Sequence, residues 1–212
     1  MKILVVSDKV EEQIYSSQIK QNFAGIEAVI GCGDLPYYYL EFIVDTLSVP
    51  VYYVRGNHAK KVEFGETVNR TSPGGAVDLH RKMERCGNLL LLGFEGSLRY
   101  RPGPFQYTQL EMWLMALGQV PRLVWNRIRF GRFLDILVTH APPWLIHDRR
   151  DLPHQGFKAI RWMVEVFQPR FHFHGHIHSY DSSEKFITRH KGTQIVNAFG
   201  HKVVDVDLQG ED

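Results

Sequence analysis

A chain of 212 residues, 44% hydrophobic and 23% charged, reads as an ordinary globular protein with ample length for a buried core. Its formal charge of +2 gives no ground for a nucleic-acid partner, and no apolar run approaches the roughly 18–20 residues that a membrane-spanning helix needs. The two cysteines, Cys32 and Cys86, lack paired spacing, which fits a reducing cytoplasmic location better than a disulfide-stapled secreted domain.

The first residues are too short for a signal peptide and run straight into Asp8, so residues 2–6 read as a strand. A helix is predicted over about 11–23, with apolar Ile14, Ile19 and Phe23 among polar residues. A strand at 28–30, a helix over about 37–47 opened by Pro36, and a strand at 51–54 complete a βαβαβ unit and predict a parallel sheet. Residues 63–83, with Pro73-Gly74-Gly75, read as a long loop or hairpin over the strand ends. A strand at 88–93 and an irregular stretch at 93–104, holding Glu95, Arg99, Tyr100 and Arg101, come next. Residues 108–130 read as one or two helices, the second begun by Pro121. A strand at 134–138, a helix over about 156–167 and a strand at 171–173 repeat the earlier alternation. Three strand-like runs, 185–188, 194–197 and 203–208, close the chain with spacing that suits antiparallel pairing. The pattern predicts an α/β fold of two packed sheets with helices outside.

Short apolar runs end repeatedly in polar signals: Ser7-Asp8, Gly31-Cys32-Gly33-Asp34, Arg55-Gly56-Asn57-His58, Thr139-His140 and Gly175-His176-Ile177-His178. Ligands of open α/β sheets bind beyond the carboxyl ends of the strands. Strand ends that all deliver Asp, Asn or His to that edge predict one shared metal site. Eleven histidines, several of them between 140 and 176, favour the same chemistry. Mixed His, Asp and Asn ligation suits Mn, Fe or Zn better than Ca.

In this order, Asp8, Gly33-Asp34, Gly56-Asn57-His58, His140 and Gly175-His176-Ile177-His178 resemble the calcineurin-like metallophosphoesterases from residue 3 to about 200. The resemblance implies one domain over 1–212, a four-layer αββα sandwich of two mixed β-sheets flanked by helices, with insertions at about 60–85 and 94–130. It implies a metal-dependent phosphoesterase acting on a phosphomonoester or phosphodiester, with one or two divalent ions as cofactor and a small phosphate ester as substrate. One ion would take Asp8, Asp34 and His178, and the other Asp34, Asn57, His140 and His176. A bridging water acidified by the ions would attack phosphorus, with Asp34 and His58 as catalytic residues and His58 protonating the leaving oxygen.

Two positions depart from the family pattern. The first motif is Asp-x-His in the family, and here Val10 stands where the histidine belongs. His147, Asp148 and His154 are candidates to replace it. Ala59 stands where the family has an acid that orients the catalytic histidine, so His58 needs another partner. These losses keep a second reading open, a weakened or inactive scaffold on the same fold. Arg99 and Arg101 are candidate phosphate contacts or a solvated loop. His172 and His174 read as structural, and Cys32 as a small packed residue. The apolar helix around Met112-Trp113-Leu114-Met115 predicts burial, with a dimer contact or a lipid-facing cap as alternatives. A homo-oligomer is compatible with the sequence.

Overall fold

Strands covered on one face alternate apolar and polar residues, whereas strands covered on both faces are apolar throughout. The computed structural model, which describes residues 1–65, 69–178 and 187–206, shows the second pattern at its centre. In chain order the first half runs β1 (Lys2–Ser7), α1 (Ile19–Asn22), β2 (Ala28–Gly31), α2 (Tyr37–Leu47), β3 (Val51–Tyr53) and β4 (Val77–Asp78). Next come β5 (Met83–Cys86), β6 (Leu89–Phe94), β7 (Ser97–Leu98), β8 (Gln106–Tyr107), α3 (Gln109–Leu117) and α4 (Val120–Phe130). The chain closes with β9 (Ile136–Thr139), α5 (Lys158–Phe167), β10 (Phe171–His174), β11 (Ile187–His190), β12 (Thr193–Asn197) and β13 (Gly200–Asp205). Every residue of β2, β3, β6 and β9 is buried.

Among the described residues the strands form two large mixed sheets, ordered β13-β1-β2-β3-β4 and β11-β12-β10-β9-β6-β5. Within them β1 to β4 are parallel, as are β6, β9, β10 and β12, while β13, β11 and β5 pair antiparallel at the edges. The two-residue period of a strand divides its side chains between two cores. Ile3 and Val5 meet Leu91, Ile136, Phe173 and Val196 between the sheets. Leu4 and Val6 point the other way, into a cluster with Ile19, Leu40 and Ile43 from α1 and α2. Leu92 and Leu137 pack outward on Met112, Leu123, Ile160 and Met163 of α3, α4 and α5. Three apolar interfaces therefore separate four layers, the αββα sandwich. Each fully buried Ile or Leu stabilises such an interface by about 1.5–3 kcal/mol.

Several sequence expectations need correction. The helix expected over 11–23 shrinks to Ile19–Asn22. The Gln13 carbonyl, which a helix would commit to residue 17, accepts instead from Ser16 Oγ at 3.4 Å and Asn22 Nδ2 at 3.1 Å. The irregular stretch at 93–104 contains β7, which pairs parallel with β8. Of the closing strands, β11 and β12 pair antiparallel as expected, but β12 also runs parallel to β10, and β13 leaves them to pair with β1 in the other sheet. The parts of those runs at 185–186 and 207–208, and residues 66–68 of the expected loop, lie outside the described residues.

Burial of the helix around residue 112 holds on one face only. Met112, Ala116 and Leu123 are buried, but Leu110, Leu114, Leu117, Trp125 and Ile128 remain exposed. Among the described residues no helix is long and apolar enough to cross a membrane.

Candidate metal centre

The carboxyl ends of β1, β2 and β3 from one sheet meet those of β9 and β10 from the other, and the polar motifs follow directly. Three non-glycine residues of the motifs carry positive φ: Asp8 at 65°, Asp34 at 54° and His176 at 67°. Non-glycine residues in that region cost on the order of 1–3 kcal/mol each and concentrate where function demands the geometry. Here the turn lets each side chain double back across the strand ends.

The side chain of Asp8 is fully buried, and its carboxylate accepts the His176 backbone N–H at 3.0 and 3.1 Å. The Asp34 Oδ1 accepts the His58 backbone N–H at 2.8 Å, while Oδ2 lies 3.2 Å from His140 Nε2. The Asn57 Oδ1 is 3.0 Å from the same nitrogen. On the far side of its ring, His140 Nδ1 donates to the Cys32 carbonyl at 2.8 Å, which fixes the tautomer and aims Nε2 at the cluster. His176 Nε2 donates to the Pro153 carbonyl at 2.7 Å, leaving Nδ1 as its lone pair. The His140 and His176 rings stand edge-on, 4.8 Å apart. His178 Nε2 lies 3.5 Å from Asp8 Oδ1, and its ring stacks on Phe199.

The electrostatics follow from this crowding. Burial pushes the Asp34 carboxyl up, but the His140 ring and the His58 N–H outweigh it and lower the pKa to about 2. Burial likewise disfavours a charged His140, yet Asp34, Asp8 and the Cys32 carbonyl raise it to about 9. The contact with Asp8 also raises His178. Burial, then the nearby Asp8 charge, pushes the Cys32 thiol far up, so Cys32 is a neutral packed residue.

The donor set fits a divalent transition ion. Ligand atoms of Asp34, His140 and His176 lie within 4.8 Å of one another, mixing carboxylate oxygen with imidazole nitrogen. The carbonyl bonds behind both rings are the supporting contacts that metal-binding imidazoles use. An ion there would replace the proton on His140 Nε2. Close backbone approach is also required: a Cβ at Gly175 would overlap Ser7 Oγ and Asp8 Oδ2. Gly175→Ala is therefore expected to weaken Mn²⁺ binding about 10–100-fold by calorimetric titration. Unchanged affinity would show that this gap has room to spare.

The other expected residues are placed as follows. His58 is exposed, and among the described residues its imidazole makes no hydrogen bond, in keeping with Ala59 beside it. Together with Asp34 it borders a cavity of about 340 Å³. Val10 packs against the cluster of Ile14 and Tyr39. His147 does not join the cluster: its Nδ1 is 2.8 Å from His174 Nε2, and its Nε2 is 2.8 Å from Thr188 Oγ1. Asp148 accepts the Gly156 N–H at 3.0 Å. His154 pairs with Asp151, although its ring lies 5.4 Å from that of His176. Arg99 forks onto Glu111 at 2.9 and 3.1 Å and braces α3. His172 and His174 are buried, as structural residues are, with His172 Nε2 2.8 Å from Thr139 Oγ1.

Sequence reasoning missed two features. The Asn57 Nδ2 donates to the Tyr100 hydroxyl at 3.3 Å. Arg55, next to the Gly56-Asn57-His58 turn, bridges Asp78 at 2.6 Å and Glu95 at 3.4 Å, and its carbonyl accepts the Gly96 N–H at 2.8 Å. This ion network ties the loop after β6 to the turn that carries Asn57.

The sequence profile of the calcineurin-like phosphoesterases matches residues 1–180. No curated protein matches the chain. One crystal structure overlays with a TM-score of 0.62 at 13% identity, over 96% of this chain and 97% of that one. The structure of TT1561 of Thermus thermophilus overlays with a TM-score of 0.59 at 12% identity, over 94% of this chain and 89% of that one. These likenesses concern the fold. With the profile match covering most of its length, the chain belongs to the calcineurin-like phosphoesterase family.

Proposed function

We propose that this protein is a metal-dependent phosphoesterase that hydrolyses a phosphomonoester or phosphodiester. The observation that carries the reading is the convergence of Asp34, His140 and His176, from the strand ends of both sheets, with their donor atoms within 4.8 Å of one another. Asp34, Asn57, His140 and His176 would hold one divalent ion, of which Mn, Fe and Zn suit the donors. Asp8, Asp34 and His178 would hold a second. Bound there, such ions neutralise phosphate charge and acidify water. In the reaction a water that gives one proton to solvent forms the new P–O bond, the ester P–O bond breaks, and the departing oxygen takes a proton from His58, which solvent then restores. Tyr100 holds the Asn57 amide in orientation.

The second ion has fewer ligands, because Val10 is committed to the apolar cluster behind it. Of the candidate replacements, His154 has a ring contact with a residue of the centre, lying 5.4 Å from the His176 ring. Val10→His is expected to raise metal stoichiometry toward two per chain by elemental analysis. Unchanged stoichiometry would show that a replacement ligand already serves.

Val10 and Ala59 are also the observations that favour a second reading, a binding protein on a phosphoesterase fold. Hydrolysis of bis-p-nitrophenyl phosphate in Mn²⁺ separates the two. Turnover that is removed by chelator and restored by Mn²⁺ supports the enzyme. Metal-free protein with no turnover in added Mn²⁺ supports the binding protein.

A further inference from the structure

The cavity beside His58 has walls that the hydrolytic chemistry does not require. It measures about 340 Å³, and beyond Asp34 and His58 it is lined by Leu35, Pro36, Tyr38, Ala59, Lys60 and Phe64, among others. Two of these are aromatic side chains held out toward solvent, Tyr38 at 44% and Phe64 at 83% exposure. Tyr38 is braced edge-on by Tyr15 at 5.6 Å, while Phe64 has no ring partner among the described residues. Neither is needed to fill the core. Glu63, which also borders the cavity, spends both carboxylate oxygens on the Tyr37 backbone N–H at 3.0 and 3.1 Å and so caps α2.

Position determines which part of a substrate meets these walls. A leaving oxygen protonated by His58 must lie against the imidazole, so the group attached to that oxygen extends into the cavity that His58 borders. Ala59 keeps the near wall small and uncharged, where an acid would repel an ester anion. Pockets of roughly 300–1,000 Å³ accept drug-sized or smaller groups, and flat rings pair with Tyr and Phe by stacking or edge contacts.

We propose that this cavity is a leaving-group subsite selective for a planar aromatic group, an aryl or nucleobase-bearing ester, with Phe64 and Tyr38 as its specificity-determining residues. Lys60 supplies the one permanent cation of the lining. The assignment rests on the phosphoesterase reading above and adds the identity of the esterified group.

Non-hydrolysable phosphonates test it without turnover. Calorimetric titration of the Mn²⁺-loaded protein is expected to show phenylphosphonate binding about 10-fold more tightly than methylphosphonate. Phe64→Ala and Tyr38→Ala should each bring that ratio toward one, while methylphosphonate affinity stays within about twofold. Both side chains are exposed, so neither change threatens folding. Equal binding of the two phosphonates by the unaltered protein, or a preference untouched by both variants, overturns the subsite. If that happens while aryl phosphodiester turnover persists, the phosphoesterase reading stands and only the subsite falls. If neither phosphonate binds and no turnover occurs, both fall together.

Discussion

Asp34→Asn is expected to remove measurable metal binding and to lower kcat/KM for an aryl phosphodiester by about 10²–10³-fold. Asp34 is the carboxylate that shares the donor cluster with His140 and His176, and its Oδ2 lies 3.2 Å from His140 Nε2. An amide carries no charge to hold a divalent ion, and losing one well-placed charged group costs about 3–4 kcal/mol of transition-state stabilisation. The fold should survive, since the Asn carbonyl can still accept the His58 N–H that Asp34 Oδ1 accepts at 2.8 Å. The substitution also removes the main influence that raises His140, so the ring should titrate lower in the metal-free variant. Calorimetric Mn²⁺ titration with parallel kinetics checks this. Retention of both binding and turnover would remove Asp34 from the centre.

The second large effect is on stability in acid. Burial lowers the pKa of His172 to about 3, and burial also lowers His147 and His174. An unfolded histidine titrates near 6.5, so between that value and the folded one the unfolded chain binds the extra proton. Stability is therefore fully present above about pH 6.5 and declines as the pH falls below it. One such group contributes a slope of up to about 1.4 kcal/mol per pH unit, or about 3 kcal/mol for His172 between pH 6.5 and 4. That is a large share of the 5–15 kcal/mol that holds a typical domain together. Urea unfolding at pH 7 and pH 4.5 should show the midpoint falling steeply. His172→Leu, which leaves Thr139 Oγ1 its bond to the Ala141 carbonyl at 2.6 Å, should flatten that slope by about one proton. A midpoint independent of pH in this interval would mean that these rings are not held neutral. His140 acts in the opposite sense. Raised to about 9, it contributes stability that is full below pH 6.5 and is lost as the pH rises from there through 9, so these histidines together place the greatest stability of the metal-free protein near pH 6.5.

The layered fold was readable because apolar runs such as residues 3–6 and 89–94 are buried on both faces, which leaves an uninterrupted signal. The strand ends were readable for a related reason: each motif breaks an apolar run with a glycine or a short polar residue. Convergence of Asp34, Asn57, His140 and His176 follows from parallel strands sharing one edge. Contacts made across the sandwich left no local trace. The pairing of Tyr100 with Asn57, and of Arg55 with Asp78 and Glu95, depends on how the loop after β6 folds back, which periodicity does not encode. The helix expected over 11–23 failed because side chains captured the Gln13 carbonyl that the helix needed. The strand at 203–208 looked like a partner for its sequence neighbours, yet β13 pairs with β1 across the molecule. Val10 was visible as a missing ligand, but its packing on Ile14 and Tyr39, which explains why a valine suits the position, required the structure.

The most direct measurement is anomalous X-ray diffraction from crystals grown with Mn²⁺. A strong Mn peak bounded by Asp34, Asn57, His140 and His176 is expected, with a weaker one beside Asp8 and His178. No peak at the strand ends, in protein that binds Mn²⁺ elsewhere or not at all, would contradict that placement.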